Sequence, residues 1–240
     1  MIRKFKCFVS CQGYFANIVT SKLPQLTVLC AGKYFVNLVS ISNCHVMVKY
    51  LSSPEESELL PNLLNLSNRD DIDKSEFEGF LLAELSLTEE LTVRTKFNVK
   101  YIKRIHKLSL GHLYSFAGKY RTVNMSKGGF LFPAAQFISQ NMNDFEKEIL
   151  LNLPAKYDSN KSLIRDIAKV HGEFLFIHPF REGNGRVARV LANLMARKQG
   201  VKGLNFEKIN EKVFPEYVSA VQMVADRNYE PMERIIELIF

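Results

Sequence analysis

Apolar residues recur every three or four positions along most of this chain, which is the spacing of a helix with one buried face. Ile138, Met142, Phe145 and Ile149 show the pattern clearly, and it stops before Pro154. Asn98 precedes another such pattern as a candidate cap. Seven helices are predicted, over about 71–85, 98–118, 138–149, 158–178, 185–200, 209–224 and 235–239.

The first predicted helix carries Phe77, Phe80, Leu81 and Leu85 on one apolar face. Only residues 121–133 resist a helical interpretation, because two short extended runs flank Gly128-Gly129, as in a β-hairpin. An isolated hairpin has an open edge, which can accept an extended segment of another chain. A plain surface turn is the alternative. The predicted fold class is therefore all-α, with a small β-hairpin.

Residues 1–50 differ from the rest, because their patterns are short and β-like rather than helical. They carry six Lys or Arg and no acidic residue, whereas the remaining 190 residues carry 26 basic and 25 acidic residues. Nucleic-acid binding by the main body is therefore not indicated. We divide the chain into an N-terminal extension, 1–50, and a helical domain, 51–240. Met47 as the true initiator is one explanation of the extension.

A zinc site in the extension is weakly supported. Its four cysteines lack the paired spacing of such sites, and buried free thiols are the alternative. The candidate ligands are Cys7, Cys11, Cys30, Cys44 and His45.

Composition indicates a globular protein, at 47% hydrophobic and 24% charged residues over 240 positions. No uncharged apolar run reaches the length of a membrane span, and no continuous apolar stretch of a signal peptide follows the N-terminus. The sequence therefore predicts a cytoplasmic protein without a membrane partner.

The chemistry is concentrated between the fourth and fifth predicted helices, in His178-Pro-Phe-Arg-Glu-Gly-Asn-Gly-Arg-Val-Ala-Arg189. Gly183 and Gly185 let the backbone expose successive N–H groups at a helix start, which is a phosphate site. The remaining polar residues suit a polyphosphate. Asn184 adds an amide donor, and Arg186 and Arg189 place two guanidiniums on one helix face. Glu182 supplies a carboxylate for Mg²⁺, and His178 a base for an incoming hydroxyl.

This segment resembles the H-x-F-x-(D/E)-G-N-G-R-x-x-R motif of the Fic family (filamentation induced by cAMP) at every specified position. The resemblance extends over about residues 70–240 and not over residues 1–50. It implies a mostly helical core and transfer of AMP from ATP to a Ser, Thr or Tyr hydroxyl of a target protein, with release of pyrophosphate.

The resemblance also implies residue roles. His178 is the base, Phe180 anchors the loop in the core, and Glu182 holds Mg²⁺ at the ATP phosphates. The nucleotide contacts are Gly183, Asn184 and Gly185 at the α-phosphate, Arg186 and Arg189 at the outer phosphates, and Tyr217 in the adenine pocket. The hairpin is the family's flap, which docks the target through Val123, Asn124, Met125, Ser126 and Lys127.

Alternatives within the family follow from two positions. Relatives that transfer phosphate carry Lys at the second glycine, and Gly185 therefore favours AMP transfer. Self-inhibited members carry (S/T)-x-x-x-E-(G/N). Glu78-Gly79 is the nearest match, but Lys74 stands where Ser or Thr is required, so Glu78 is a weak inhibitory candidate. Regulation could instead come from a separate inhibitor protein or from homo-oligomerisation. The competing function is a non-catalytic nucleotide-binding module.

Overall fold

The computed structural model describes residues 59–240, and this part of the chain is helical apart from one hairpin. Its helices and strands are α1 (Arg69–Glu89), α2 (Val99–Leu110), β1 (Ser126–Lys127), β2 (Phe130–Leu131), α3 (Ile138–Glu148), α4 (Asn160–Ile177), α5 (Asn184–Lys198), α6 (Phe214–Met223) and α7 (Glu230–Ile239). Short 3₁₀ turns span Ala135–Phe137, Leu150–Asn152, Phe206–Lys208 and Val224–Asp226. The predicted fold class is confirmed for the described residues.

Helix α4 lies at the centre of the core, where it contacts α3, α5, α6 and α7. Its inward residues Ile167, Ala168 and Phe174 are fully buried, as are Leu194 of α5 and Ile236 of α7. Each large apolar side chain buried in this way contributes about 1.5–3 kcal/mol. The core therefore fixes the C-terminal end of α4 and the N-terminal end of α5, between which the motif lies.

Polar side chains cap the helices that lead into this core. The Asn98 side chain accepts the Tyr101 N–H at the start of α2, as its position predicted, and Ser159 caps α4 through the Ser162 N–H. Helix α2 ends at Leu110, however, earlier than predicted. The chain continues in turns to Gly118, whose φ of 81° is accessible to glycine.

The prediction of one apolar face on α1 was wrong. Phe80 is buried, but Phe77, Leu81 and Leu85 are each more than 40% exposed. A small residue explains the difference: a Cβ on Gly79 would lie only 2.0 Å from the Ser109 carbonyl oxygen, so α1 packs on α2 almost backbone to backbone. The buried face of α1 therefore includes Gly79 and Ala83 together with Ile72, Phe80 and Leu87.

The predicted hairpin is confirmed. Ser126 pairs with Leu131 and Lys127 with Phe130 in an antiparallel ladder, and Gly128 and Gly129 both have positive φ, as the tight turn requires. Each strand has only two residues.

No helix among the described residues has both the length and the apolar character needed to span a bilayer. The predictions for Cys7, Cys11, Cys30, Cys44, His45 and Met47, and for the β-like extension, lie outside the described residues.

Candidate active site

His178 ends α4 in the left-handed conformation, with φ 51° and ψ 57°. The following Pro179 disfavours helical geometry at this residue, and the His178 N–H still bonds the Phe174 carbonyl at 3.0 Å. Because the main chain turns sharply here, the imidazole lies beside the loop that leads to α5.

The protonation state of His178 follows from its neighbours. Nδ1 lies 3.2 Å from the Leu175 carbonyl oxygen, which can only accept a hydrogen bond. Nδ1 therefore carries the proton, and Nε2 presents its lone pair. Burial lowers the pKa of His178 to about 4, so the imidazole is neutral at physiological pH. The Phe132 ring, from the C-terminal side of the hairpin, stacks on it at a centroid distance of 3.9 Å.

Phe180 lies in the core, as its anchoring role requires, and its side chain is fully buried. The Asn184 side chain holds the same residue from both sides: its Oδ1 accepts the Phe180 N–H at 2.8 Å and its Nδ2 donates to the Phe180 carbonyl at 2.7 Å. The Asn184 amide, predicted as a phosphate donor, is therefore engaged with the loop. The first N–H groups of α5 remain as the donors that a helix start offers to an anion.

The two glycines of the motif differ in their surroundings. Gly183 has φ 78°, and a Cβ there would lie about 3.0 Å from Leu110 and 3.1 Å from Phe80. A Cβ on Gly185 would meet nothing within 4 Å. Packing and backbone conformation therefore require glycine at 183, whereas glycine at 185 keeps open space in front of the α5 N-terminus, where a phosphate would lie.

Arg186 is held by carboxylates on both sides. Its Nη2 lies 2.7 Å from Glu76 Oε2 and 3.1 Å from Glu182 Oε1, and its guanidinium lies 4.8 Å above the Phe80 ring. Burial lowers the pKa of Arg186, but the two carboxylates raise it further, so the guanidinium is charged. The predicted contact of Arg186 with outer phosphates requires that it exchange or share these partners.

Sequence reasoning missed Glu76 as a motif partner. It is almost fully buried, and its Oε1 accepts the Tyr114 hydroxyl at 2.7 Å. Glu78, the weak inhibitory candidate, is exposed on the outer side of α1. The (S/T)-x-x-x-E pattern pointed two residues too far along the helix, so the carboxylate that reaches the motif is not the one that its spacing indicated.

Arg189 and Tyr217, the other predicted nucleotide contacts outside the loop, have aromatic neighbours. The Arg189 guanidinium lies 5.9 Å from the Phe206 ring centroid. Tyr217 is 5% exposed, and its hydroxyl is 2.8 Å from His171 Nε2. His171 Nδ1 faces the Ala188 carbonyl, so Nε2 accepts the tyrosine proton. Tyr217 is thus tied to the core histidine, and its predicted contact with adenine stays a prediction.

His106 supports the loop from α2. The Gly118 N–H donates to its Nδ1 at 2.7 Å, so Nε2 carries the proton and donates to the Glu182 carbonyl at 3.0 Å. Its ring stacks on Phe180 at 3.9 Å, nearly parallel. Burial lowers its pKa to about 4, which preserves this neutral tautomer.

Arg121 joins the hairpin to His178 at the end of α4. Its Nε donates to the His178 carbonyl at 2.8 Å, Nη1 to the Val123 carbonyl at 2.7 Å, and Nη2 to the Pro133 carbonyl at 2.6 Å. Its N–H also donates to Pro179 at 2.9 Å, and its side chain is buried. One guanidinium therefore fixes both ends of the hairpin against the end of α4.

The predicted flap residues lie beyond this junction. Val123, Asn124 and Ser126 are exposed, and Met125 and Lys127 are partly exposed. The Asn124 side chain accepts the Ala135 N–H at 2.9 Å and so helps close the hairpin base.

Glu182 is the carboxylate that fits Mg²⁺. Its side chain is about a third exposed, and its Oε1 accepts the Gly183 N–H at 2.7 Å. Within residues 59–240 no group of three or more His, Cys, Asp or Glu could enclose a metal. Mg²⁺ at a nucleotide needs only one or two carboxylates beside phosphate and water oxygens, so a single glutamate fits that donor set.

Comparison with known proteins agrees with this geometry. The model of the Fic/DOC family matches residues 96–196. The protein adenylyltransferase Fic of Aedes aegypti is 29% identical over 144 residues, which cover 58% of this chain and 26% of that protein. The protein adenylyltransferase VbhT of Bartonella schoenbuchensis is 26% identical over 145 residues, covering 60% of this chain and 30% of that protein. The chain thus spans about a quarter to a third of these relatives.

Solved structures share the fold. The N-terminal Fic domain of an effector protein from Bartonella sp. AR 15-3 superposes with a TM-score of 0.65 at 21% identity, covering 76% of this chain and 87% of that one. The BepC protein of Bartonella tribocorum, solved with bound AMPPNP, gives a TM-score of 0.60 at 18% identity, covering 75% and 90%. Residues 96–196 of this chain therefore match the Fic/DOC family model, and the described residues share the fold of solved Fic domains.

Proposed function

We propose that this protein is an adenylyltransferase that moves AMP from ATP to a Ser, Thr or Tyr hydroxyl of another protein. The proposal rests on one observation: His178 is neutral, with Nε2 unprotonated, beside an open helix N-terminus built for phosphate. A neutral imidazole is a competent base, and a pure nucleotide binder has no use for one. The names of the related proteins support AMP as the transferred group.

In the proposed reaction, His178 Nε2 accepts the proton of the acceptor hydroxyl. The hydroxyl oxygen attacks the α-phosphorus, the bond from that phosphorus to the bridging oxygen breaks, and pyrophosphate leaves. The N–H groups at the start of α5 donate to the α-phosphate oxygens as charge accumulates there. Because Nδ1 is bonded to Leu175, the imidazolium that forms stays in place and is partly stabilised by that carbonyl.

The remaining residues bind or position. Arg189 and Arg186 supply positive charge for the outer phosphates, and Arg186 does so by sharing Glu182 and Glu76. Glu182 would hold Mg²⁺, which neutralises phosphate charge when bound. The flap would align an extended segment of the acceptor protein by strand addition, and Phe132 next to His178 marks where that segment must come close.

A member held inactive is the alternative that one observation favours, because Glu76 already occupies Arg186. The burial of Glu76 and its hydrogen bond to Tyr114 fit a structural role better than an inhibitory carboxylate that must move away. The Glu76→Gln variant distinguishes an inhibitory role of Glu76 from a structural one. An inhibitory carboxylate predicts faster AMP transfer in the variant, whereas a structural carboxylate predicts a less stable protein and slower transfer.

The nature of the transferred group is tested with α-labelled and γ-labelled ATP in parallel, with Mg²⁺ and a bacterial lysate as the source of acceptor. We expect covalent protein label from the α-position only, together with released pyrophosphate. Label from the γ-position would show phosphate transfer instead. ATP binding with no label from either position would leave a binding module as the better account.

A further inference from the structure

A basic cleft of about 580 Å³ lies along α2, away from the motif. Its wall is a single helical face, since Lys100, Lys103, Arg104 and Lys107 stand at spacings of three, one and three. Lys96 extends the wall before the helix, and the turn at Ala117 and Gly118 forms the other side.

The charge of this cleft is largely unbalanced. Arg104 pairs with Glu90 at 2.6 Å, and Glu146 lies at the margin, where it accepts the Val99 N–H. Within the part of the chain that the structure describes, the four lysines form no ion pair within 4.0 Å. Five cations thus face two carboxylates, so the cleft attracts an anionic ligand.

The cleft and the motif share supporting residues. Gly118, on the cleft wall, donates to His106, which bonds the Glu182 carbonyl of the motif loop. Lys103 lies 3.7 Å from the Tyr120 ring centroid, and the next residue, Arg121, begins the flap. A chain bound in the cleft would therefore contact residues that support both the motif loop and the flap.

From these observations we infer that the α2 cleft binds an acidic segment of the acceptor protein, which deepens the proposed function and rests on it. The occupant is a peptide rather than a nucleic acid, for two reasons. Residues 51–240 are nearly neutral overall, whereas nucleic-acid-binding domains are typically strongly basic. The cleft also has apolar walls, at Tyr101, Leu108 and Ala117, which suit side-chain methylenes between carboxylates.

The test measures fluorescence anisotropy of a labelled deca-glutamate peptide with the full chain. The Lys96→Glu/Lys100→Glu variant reverses two charges of the cleft. The Lys161→Glu/Lys212→Glu variant makes the same change in net charge at two exposed sites near other helix starts. We expect the cleft variant to bind the peptide about tenfold or more weakly and the control within about twofold, with wild-type affinity falling as salt rises.

Three outcomes would overturn the inference: equal weakening in both variants, tighter wild-type binding of deca-thymidylate than of the peptide, or complete competition by equimolar inorganic tripolyphosphate. ATP affinity of the cleft variant should equal that of wild type, which shows that it is folded. Peptide binding needs no catalysis, so the two proposals can fail separately. Selective peptide binding without AMP transfer would contradict the proposed function and support the cleft as a peptide site. AMP transfer without selective peptide binding would contradict the cleft inference alone.

Discussion

The motif loop and the hairpin flank His178, and the protein holds them in opposite ways. In the loop, Phe180 is fully buried, and side chains from two other elements fix its main chain at Phe180 and Glu182. In the hairpin, each strand has two residues and Leu131 is 78% exposed. Arg121 and Asn124 secure its base, and the Phe130 and Phe132 rings lie against Phe176 and His178. The motif loop is thus preorganised, whereas the hairpin is held near its base and exposed at Leu131.

The largest effect is expected from removing the loop anchor. Phe180→Ala deletes a fully buried ring that stacks on His106, and such substitutions cost about 3–5 kcal/mol. We expect the free energy of unfolding, measured in urea, to fall by that amount and ATP binding to weaken. Phe137→Ala, at a residue that is 54% exposed, is the matched control and should cost less than about 1 kcal/mol. Equal costs would show that the loop is not anchored as described.

Breaking the hairpin base should have the next largest effect. Arg121→Met removes three side-chain hydrogen bonds to carbonyls, and a typical intramolecular hydrogen bond contributes about 0.5–1.5 kcal/mol net. We expect stability to fall by about 2–4 kcal/mol and AMP transfer to fall about 10- to 100-fold, with ATP affinity changed less than about twofold.

Arg121→Lys keeps one cation and should recover part of the transfer rate, whereas Arg234→Met, at an exposed surface pair, should change neither quantity. A parallel loss of ATP binding and transfer in Arg121→Met would contradict a role confined to the acceptor side.

Acidification should destabilise both regions together. Burial lowers the pKa of His106 and His178 to about 4 and that of His171 to about 3, from 6.5. Protonation therefore favours the unfolded chain, and the stability that these histidines contribute is complete above about pH 6.5 and is lost as the pH falls toward 4.

Urea unfolding at a series of pH values checks this slope, and a variant of exposed His112, His112→Gln, should leave it unchanged. Stability that stays constant between pH 6.5 and 4.5 would mean that the buried histidines are not held neutral.

The smallest effect is expected at the hairpin tip. Leu131→Ala should change the free energy of unfolding by less than about 0.5 kcal/mol, because the side chain has few contacts to lose. ATP affinity should also be unchanged. A large loss of stability would show that the tip is packed, and the contrast with the loop would fail.

The sequence predicted what is local along the chain. The helices, the Asn98 cap, the hairpin at Gly128-Gly129 and the loop between α4 and α5 each depend on neighbouring residues or a repeating pattern. The buried face of α1 was not predictable in this way, because the close approach of Gly79 to Ser109 belongs to the packing of two helices.

The contacts that hold the candidate site in place were also not predictable from the sequence. His106 and Glu182 are 76 residues apart, and Arg121 and His178 are 57 apart. A histidine on an apolar helix face and an arginine before a turn are each common, so nothing local marks them as partners of the motif. Glu76 was missed for a related reason: its partner Arg186 lies on another helix.

The central claim is that His178 is the base for AMP transfer, and single-turnover transfer from α-labelled ATP tests it most directly. Wild type is compared with His178→Ala, and ATP affinity is measured for both proteins. The account predicts that the variant binds ATP within about twofold of wild type and transfers AMP about 10²- to 10⁴-fold more slowly, because general-base catalysis is lost while the phosphate site remains. Transfer by the variant at the wild-type rate would contradict the claim.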